Sequence, residues 1–369
     1  MIAGLFGRLR ARRTVPPRII IHTGLHKTGS STLQDYLYAS RTAMRDHGFV
    51  YPDLEAPNHY KLAVAVAGDD EAGRASLIGY MGQRAAAMAG QGPAILAGIA
   101  DQVARLGESW LILSHENFAQ PIRLDQLLQF LRSIAPEAHL YGICYARSAP
   151  KLYASVLQQV IKVRRIAQPP GVWVSNHEDR AMLILDRFAD RAIVRAYDRS
   201  VLTGADIVED FRGVVRKISG RDLPSAMPMS SNAALSGAVT ALLYRHALAF
   251  PDVAPEPFFE LRDQLRRFCR SRSDPPLQLP ADWAALLERR HHETWNALVE
   301  RMDHDTATRA RLMLSGAPAG KVRAGRPALL AWVDSHHHGA FAAAFAEWAG
   351  SEGALAPDTL AWVRQQVQA

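Results

Sequence analysis

The chain has 369 residues, 48% hydrophobic and 21% charged, the balance of an ordinary globular protein with length for one large or two modest cores. The formal charge of +7 suits an anionic ligand, but no aromatic-interleaved basic stripe or nucleic-acid motif accompanies it, so nucleic acid is not an expected partner. Two cysteines, Cys144 and Cys269, exclude a disulfide framework, and no stretch reaches the ~18 uninterrupted apolar residues of a membrane span.

Residues 1–17 carry their basic residues after the apolar ones, the reverse of a secretory signal, and are expected to form a basic tail on a soluble, cytoplasmic protein. Four continuous apolar runs, Ile19–Thr23, Trp110–Ser114, Leu140–Ala146 and Ala192–Tyr197, predict parallel strands covered on both faces. Helical patterns lie between them at Thr32–Arg45, Glu71–Met88, Asp125–Ile134, Pro150–Arg165 and Glu178–Ala189, with capping-box spacing from Ser175 to Glu178. This alternation predicts a doubly wound α/β sheet, whose ligands bind beyond the C-terminal strand ends. Past Tyr197 the pattern is helical, at Gly204–Ile218, Ala233–Ala249, Pro257–Arg272, Ala281–Met302 and Pro327–Ala349, with breaks such as Asp274-Pro-Pro. The expected organisation is a tail (1–17), an α/β core (18–231) and a helical subdomain or cap (232–369), jointed at 220–232.

The most informative stretch is Arg18 to Gln34, in which an apolar strand enters a glycine turn and breaks directly into a helix. Gly24 and Gly29 let the backbone approach an anion closely, and the free N–H groups of the first helical turn face it. Lys27 adds a point charge, while Ser30, Ser31 and Thr32 add hydroxyl donors. The order differs from a Walker A loop, because Lys27 precedes Gly29 and no lysine follows it. Gly24-Leu-His-Lys-Thr-Gly-Ser-Ser-Thr-Leu-Gln34 resembles the 5′-phosphosulfate loop of sulfotransferases that use 3′-phosphoadenosine 5′-phosphosulfate (PAPS), bacterial carbohydrate-type members above all. Downstream, Arg147-x-x-Pro150-x-x-x-x-Ser155 follows the strand Leu140–Ala146 and resembles the 3′-phosphate motif of the same family. An arginine fork and a helical serine hydroxyl suit that phosphate.

Weaker likeness continues through Tyr197-Asp-Arg199, Gly204–Phe211 and Asn232-Ala-Ala-Leu-Ser236, in which Ala234 stands where the family has serine. It covers residues 18 to about 245. The resemblance implies a P-loop NTPase-like three-layer sandwich with a central parallel sheet, PAPS as co-substrate, and sulfuryl transfer to a hydroxyl or amine of a small-molecule or glycan acceptor, a saccharide or glycolipid. It implies a 5′-phosphosulfate site at His26, Lys27, Thr28, Gly29, Ser30, Ser31 and Thr32, and a 3′-phosphate site at Arg147 and Ser155.

Sulfuryl transfer needs charge stabilisation, which Lys27 can supply without a metal, and a base for the acceptor's proton. His59, on the connection after the first helix, and Glu116, just past the second strand, are the candidates; the sequence does not choose between them. His22 and His26 flank the loop and either contact the sulfuryl group or pack. His336-His-His338, Asp334 and His291-His292 look metal-like, but adjacent helical side chains point about 100° apart, so no metal is expected. Tryptophans 283, 295, 332, 348 and 362 fall among apolar helical positions and are expected in the core. Two other readings stay open: a kinase or NTPase using the same cradle, and a non-catalytic binder of nucleotide or polyanion.

Overall fold

The computed structural model describes residues 15–67, 88, 90–163, 167–225, 235–252, 255–269, 277–316 and 322–367. The helix expected at Glu71–Met88, most of the basic tail, the break at Asp274 and residues 232–234 of the Asn232–Ser236 segment lie outside the described residues, Met88 apart. The chain divides into two compact units, Met1–Arg147 with Asn176–Ser231 and Thr294–Met313, and Ser148–Ser175 with Asn232–Glu293 and Leu314–Ala369. Residues 148–175, expected in the core, thus belong to the second unit, and 294–313, expected in the helical region, to the first.

The first unit is built on a five-stranded parallel sheet of order β2-β3-β1-β4-β5. Its strands are β1 (Arg18–His22), β2 (Phe49–Val50), β3 (Trp110–Ser114), β4 (His139–Ala146) and β5 (Ala192–Ala196). Between them run α1 (Ser30–Ala39), α2 (Arg41–Asp46), α3 (Tyr60–Ala67), α4 (Gly92–Ala104), α5 (Pro121–Ile134), α6 (Ala149–Lys162) and α7 (His177–Phe188), with α8 (Ile207–Ser219) after β5. The two-residue β2 has too short an apolar run to signal itself, and α3 and α4 were equally without a sequence expectation. The single helix expected at Thr32–Arg45 is two, divided at Ser40. α7 starts after Asn176, one place past the Ser175 expected to open its capping box, and the Asn176 side chain makes no cap.

Both faces of the sheet are covered. Ile20, Ile112, Ile143 and Tyr145 share one core with Leu33, Tyr36 and Leu37 of α1 and with Ile207, Phe211 and Val214 of α8. On the opposite face α7 packs on β4 and β5, and its Phe188 lies so close over Gly142 that a Cβ there would meet the ring at 2.5 Å. α8 shows why its sequence is helical. Asp206 caps it by accepting from the Val208 and Glu209 N–H groups, Gly220 ends it in the left-handed region, and Arg216 and Lys217 sit at its negative end.

The edge of the sheet at β5 is tied down rather than left open. The Asp303 N–H donates to the Val194 carbonyl at 2.8 Å and the Ala196 N–H to His304 Nε2 at 3.0 Å. Beneath it Arg195 forks onto Asp210, Nε to Oδ2 at 2.8 Å and NH2 to Oδ1 at 2.9 Å. Tyr145 Oη and the Thr203 backbone and hydroxyl donate to the same carboxylate.

The second unit is helical, and no strand is assigned among its described residues. It comprises α6, α9 (Gly237–Ala249), α10 (Glu256–Phe268), the first part of α11 (Ala281–Arg301), α13 (Arg326–Asp334), α14 (Gly339–Ser351) and α15 (Pro357–Gln365); α12 (Thr306–Leu312) belongs to the first. Its core gathers Leu157, Ile161, Leu242, Leu261, Phe345 and Val363. The helix expected across Pro327–Ala349 breaks at 335–338, where His337 N–H turns back to the Asp334 carbonyl, and Gly339 restarts the chain against Val367.

Removing the Asp210 carboxylate leaves three donors of Tyr145 and Thr203 unmatched and half-buried Arg195 with Asp303 alone. Asp210→Ala is expected to lower the unfolding free energy by about 3–5 kcal/mol in chemical denaturation; a loss under about 1 kcal/mol would show that the network is dispensable.

Candidate functional site

The chain leaves β1 toward β2 on one side of the sheet and leaves β4 toward β5 on the other, so the crevice at the C-terminal ends of β1 and β4 is a topological switch point. The loop that follows β1 occupies it. Its base is backbone: Thr23 N–H donates to Ile143 O at 3.0 Å, Tyr145 N–H to Gly24 O at 3.0 Å and Leu25 N–H to Tyr145 O at 3.3 Å. The chain then turns through Gly24, Lys27 and Gly29 at φ of 84°, 64° and 78°. A Cβ at Gly24 would stand 2.8 Å from the Glu116 Cα, and one at Gly29 would stand 2.8 Å from the Tyr197 ring.

Glycine takes this conformation freely, but Lys27 does so at a cost of roughly 1–2 kcal/mol. Arg147, the first residue past β4, holds it there by donating from NH1 to the Lys27 carbonyl at 3.1 Å. The same guanidinium lies 5.5 Å over the Tyr197 ring, the side chain that Gly29 packs against. Inside the loop the Leu25 carbonyl accepts from Thr28 Oγ1 at 2.6 Å and from Ser30 Oγ at 3.1 Å.

Helix α1 starts behind left-handed Gly29 with no side-chain cap, so its first-turn N–H groups face the crevice without one. Thr28 and Ser30, expected among the ligand donors, spend their hydroxyl protons on Leu25 and stiffen the loop instead. Ser31 and Thr32, respectively exposed and half-buried, keep theirs. Lys27 is half-buried. Burial lowers its pKa, Glu116 opposes that, and Arg147 adds to the lowering.

Glu116 follows β3 with 13% of its side chain exposed. Gln34 Nε2 donates to its Oε2 at 3.1 Å, and His115 Nδ1 stands 3.4 Å from that oxygen. Burial would raise its pKa, but His115, its own backbone N–H and Gln34 together hold the carboxyl well below the usual range. It is the anion of the cluster, and its charge acts on His22, His26 and Lys27.

His59, expected as a candidate base, serves otherwise. It is wholly buried; Nδ1 accepts from the Ser114 N–H at 3.1 Å, and Nε2 donates to the Pro52 carbonyl at 3.0 Å. Both ring nitrogens are spent on holding the end of β3, so neither is free to take an acceptor's proton. His22 is a second buried strut, with Nδ1 2.8 Å from Ser114 Oγ and its ring edge-on to Phe211. Burial lowers the pKa of His22 to about 4 and of His59 to about 3. His26 is half-buried and its pKa is also lowered, by burial first.

Lys27, Glu116, His26 and Arg147 therefore share one site, whereas Ser155 lies on α6 in the second unit with its side chain half-buried. Sequence reasoning missed Gln34, His115, His177 and Arg180. The last two stand in the first turn of α7; Arg180 acts electrostatically on His26, His26 acts on His177, and burial lowers the His177 pKa to about 3. No local spacing signals them, because α7 reaches the loop only through its packing on β4 and on the turn at Glu116–Ala119.

The metal-like histidines are bonded to backbone: His336 to the Trp332 carbonyl, His337 to that of Gln366 and His292 to that of Arg289. Asp334 pairs with Arg245. Among the described residues no group of three His, Cys, Asp or Glu side chains could hold a metal ion, and no helix is long and apolar enough to cross a membrane. Trp283, Trp295 and Trp362 are buried, and Trp332 and Trp348 are partly so. No protein-family model matches the chain, and no curated protein or solved structure matches it either.

The two buried histidines set an acid limit. In the unfolded chain each takes up a proton near pH 6.5, while in the fold each stays neutral until about pH 4 or 3. Their contribution is complete above the unfolded value and is lost as pH falls. The unfolding free energy is expected to drop by roughly 2 kcal/mol per histidine between pH 7 and pH 5. A flat profile over that interval in urea titrations would contradict the burial of these rings as neutral groups.

Proposed function

We propose that the chain is a sulfotransferase that uses PAPS as donor and a saccharide or glycolipid hydroxyl, or an amine, as acceptor. The observation that carries the reading is the bond from Arg147 to the Lys27 carbonyl. It unites, at the switch point of a parallel sheet, the two cationic side chains that the sequence motifs assign to opposite ends of one nucleotide. The lysine order, two places before Gly29, favours a sulfuryl donor over a nucleoside triphosphate.

In this reading the acceptor oxygen attacks sulfur in line while the bond from sulfur to the 5′-phosphate oxygen breaks, and the bonding pair leaves on that phosphate. Lys27 stabilises the leaving oxygen. The first-turn N–H groups of α1 and the Ser31 and Thr32 hydroxyls hold the 5′-phosphate. Arg147 forks onto the 3′-phosphate. A carboxylate held as firmly ionised as Glu116 is a weak proton acceptor, so its part is to keep Lys27 charged. The acceptor's proton goes to His26, half-buried and with its pKa lowered, so neutral at pH 7.

Lys27→Ala and Arg147→Ala are each expected to lower PAPS-dependent sulfation of an acceptor at least tenfold, about 1.4 kcal/mol or more in transition-state stabilisation. Unchanged turnover in both would sink the site. EDTA is expected to leave activity intact; its abolition by EDTA, restored by magnesium, would favour the kinase reading.

A further inference from the structure

Arg180 is half-buried, yet among the described residues its side chain makes no hydrogen bond and no ion pair, and its Nε is buried without a partner. Other arginines with a buried Nε differ. Arg212 bonds Glu209 and the Leu223 carbonyl, and Arg147 bonds the Lys27 carbonyl. A half-buried cation with no anion opposite it among the described residues suits an anion that comes and goes. Its electrostatic neighbours are His26 and His177, and burial lowers its own pKa with no carboxylate to counter it. Arg147, by contrast, acts on Lys27 and His177. Arg147 thus acts on Lys27 and Arg180 on His26, and both act on His177.

We propose that Arg180, beside His26, forms a second anion subsite, and that it takes a negative group carried by the acceptor itself, a carboxylate or a sulfate ester on the saccharide. The word acceptor rests on the sulfotransferase reading; the anion subsite does not. An acceptor anchored there brings its hydroxyl to His26, the proton acceptor, and leaves Arg147 and Lys27 to the donor. Neutral saccharides would then be poor substrates.

The test titrates sodium sulfate into the full chain by calorimetry, against sodium chloride at matched ionic strength, first without nucleotide, then with saturating adenosine 3′,5′-diphosphate, then with saturating PAPS. The PAPS-bound protein is expected to bind sulfate, and Arg180→Gln to weaken that binding at least about tenfold while shifting PAPS affinity less than about twofold. Sulfate that binds beside the diphosphate but not beside PAPS would place Arg180 on the transferring sulfuryl group and overturn the proposal. Equal sulfate affinity in the parent and the variant would overturn it too, as would joint loss of PAPS.

If the parent fails to bind PAPS, the sulfotransferase reading fails separately, and the nucleotide-free titration still decides whether Arg180 is an anion site. Arg180→Gln removes an uncompensated charge, so its Tm in sulfate-free buffer is expected to equal or exceed the parent's. A Tm well below it would show that Arg180 has a structural partner and overturn the assignment.

Discussion

The hydrogen bond from Arg147 to the Lys27 carbonyl is the contact on which the site depends. Lys27 sits in a backbone region that suits glycine, and its side chain points where it does because that conformation is held. Arg147 can hold it only because β4 lies beside β1, and because their pairing runs on past the strand ends to Leu25 and Tyr145. The sheet order, the strained turn and the placement of the ammonium are therefore one arrangement. Gly24 and Gly29 permit it by closing onto Glu116 and Tyr197 with no Cβ between.

Around that contact the charges are deliberately unequal. Lys27, Arg147 and Arg180 bring three cationic groups; among the described residues Glu116 acts against Lys27 and Asp198 against Arg147, while no carboxylate acts on Arg180. Burial works against each cation and lowers its pKa. The same burial keeps His22 and His59 neutral and makes them structural. His26, only half-buried, is the histidine to which the proposed mechanism gives the acceptor's proton.

What was legible in the sequence is what is local. The strands β1, β3, β4 and β5 show as unbroken apolar runs because a parallel strand covered on both faces has no polar side to display. The turn from Gly24 to Thr32 is contiguous, so its order could be read directly. β2 is too short to leave a pattern, and the break at 335–338 depends on Val367 approaching Gly339 from far along the chain. His59 misled because a polar residue on a connection gives no sign that the Pro52 carbonyl and the Ser114 N–H await its two nitrogens. Arg180 gives no sign for the opposite reason: its Nε is buried without a partner among the described residues, which only the folded chain reveals.

The central claim, that one crevice holds both phosphates of a 3′-phosphorylated adenosine nucleotide, is tested most directly by thermal unfolding with adenosine 3′,5′-diphosphate beside AMP, ADP and magnesium-ATP. A ligand at a hundred times its dissociation constant adds about 2.7 kcal/mol to the native state, a readily measured rise in Tm. The account predicts that rise for the 3′,5′-diphosphate and little for AMP or ADP, without magnesium. A rise confined to magnesium-ATP, or none with any nucleotide, would contradict it.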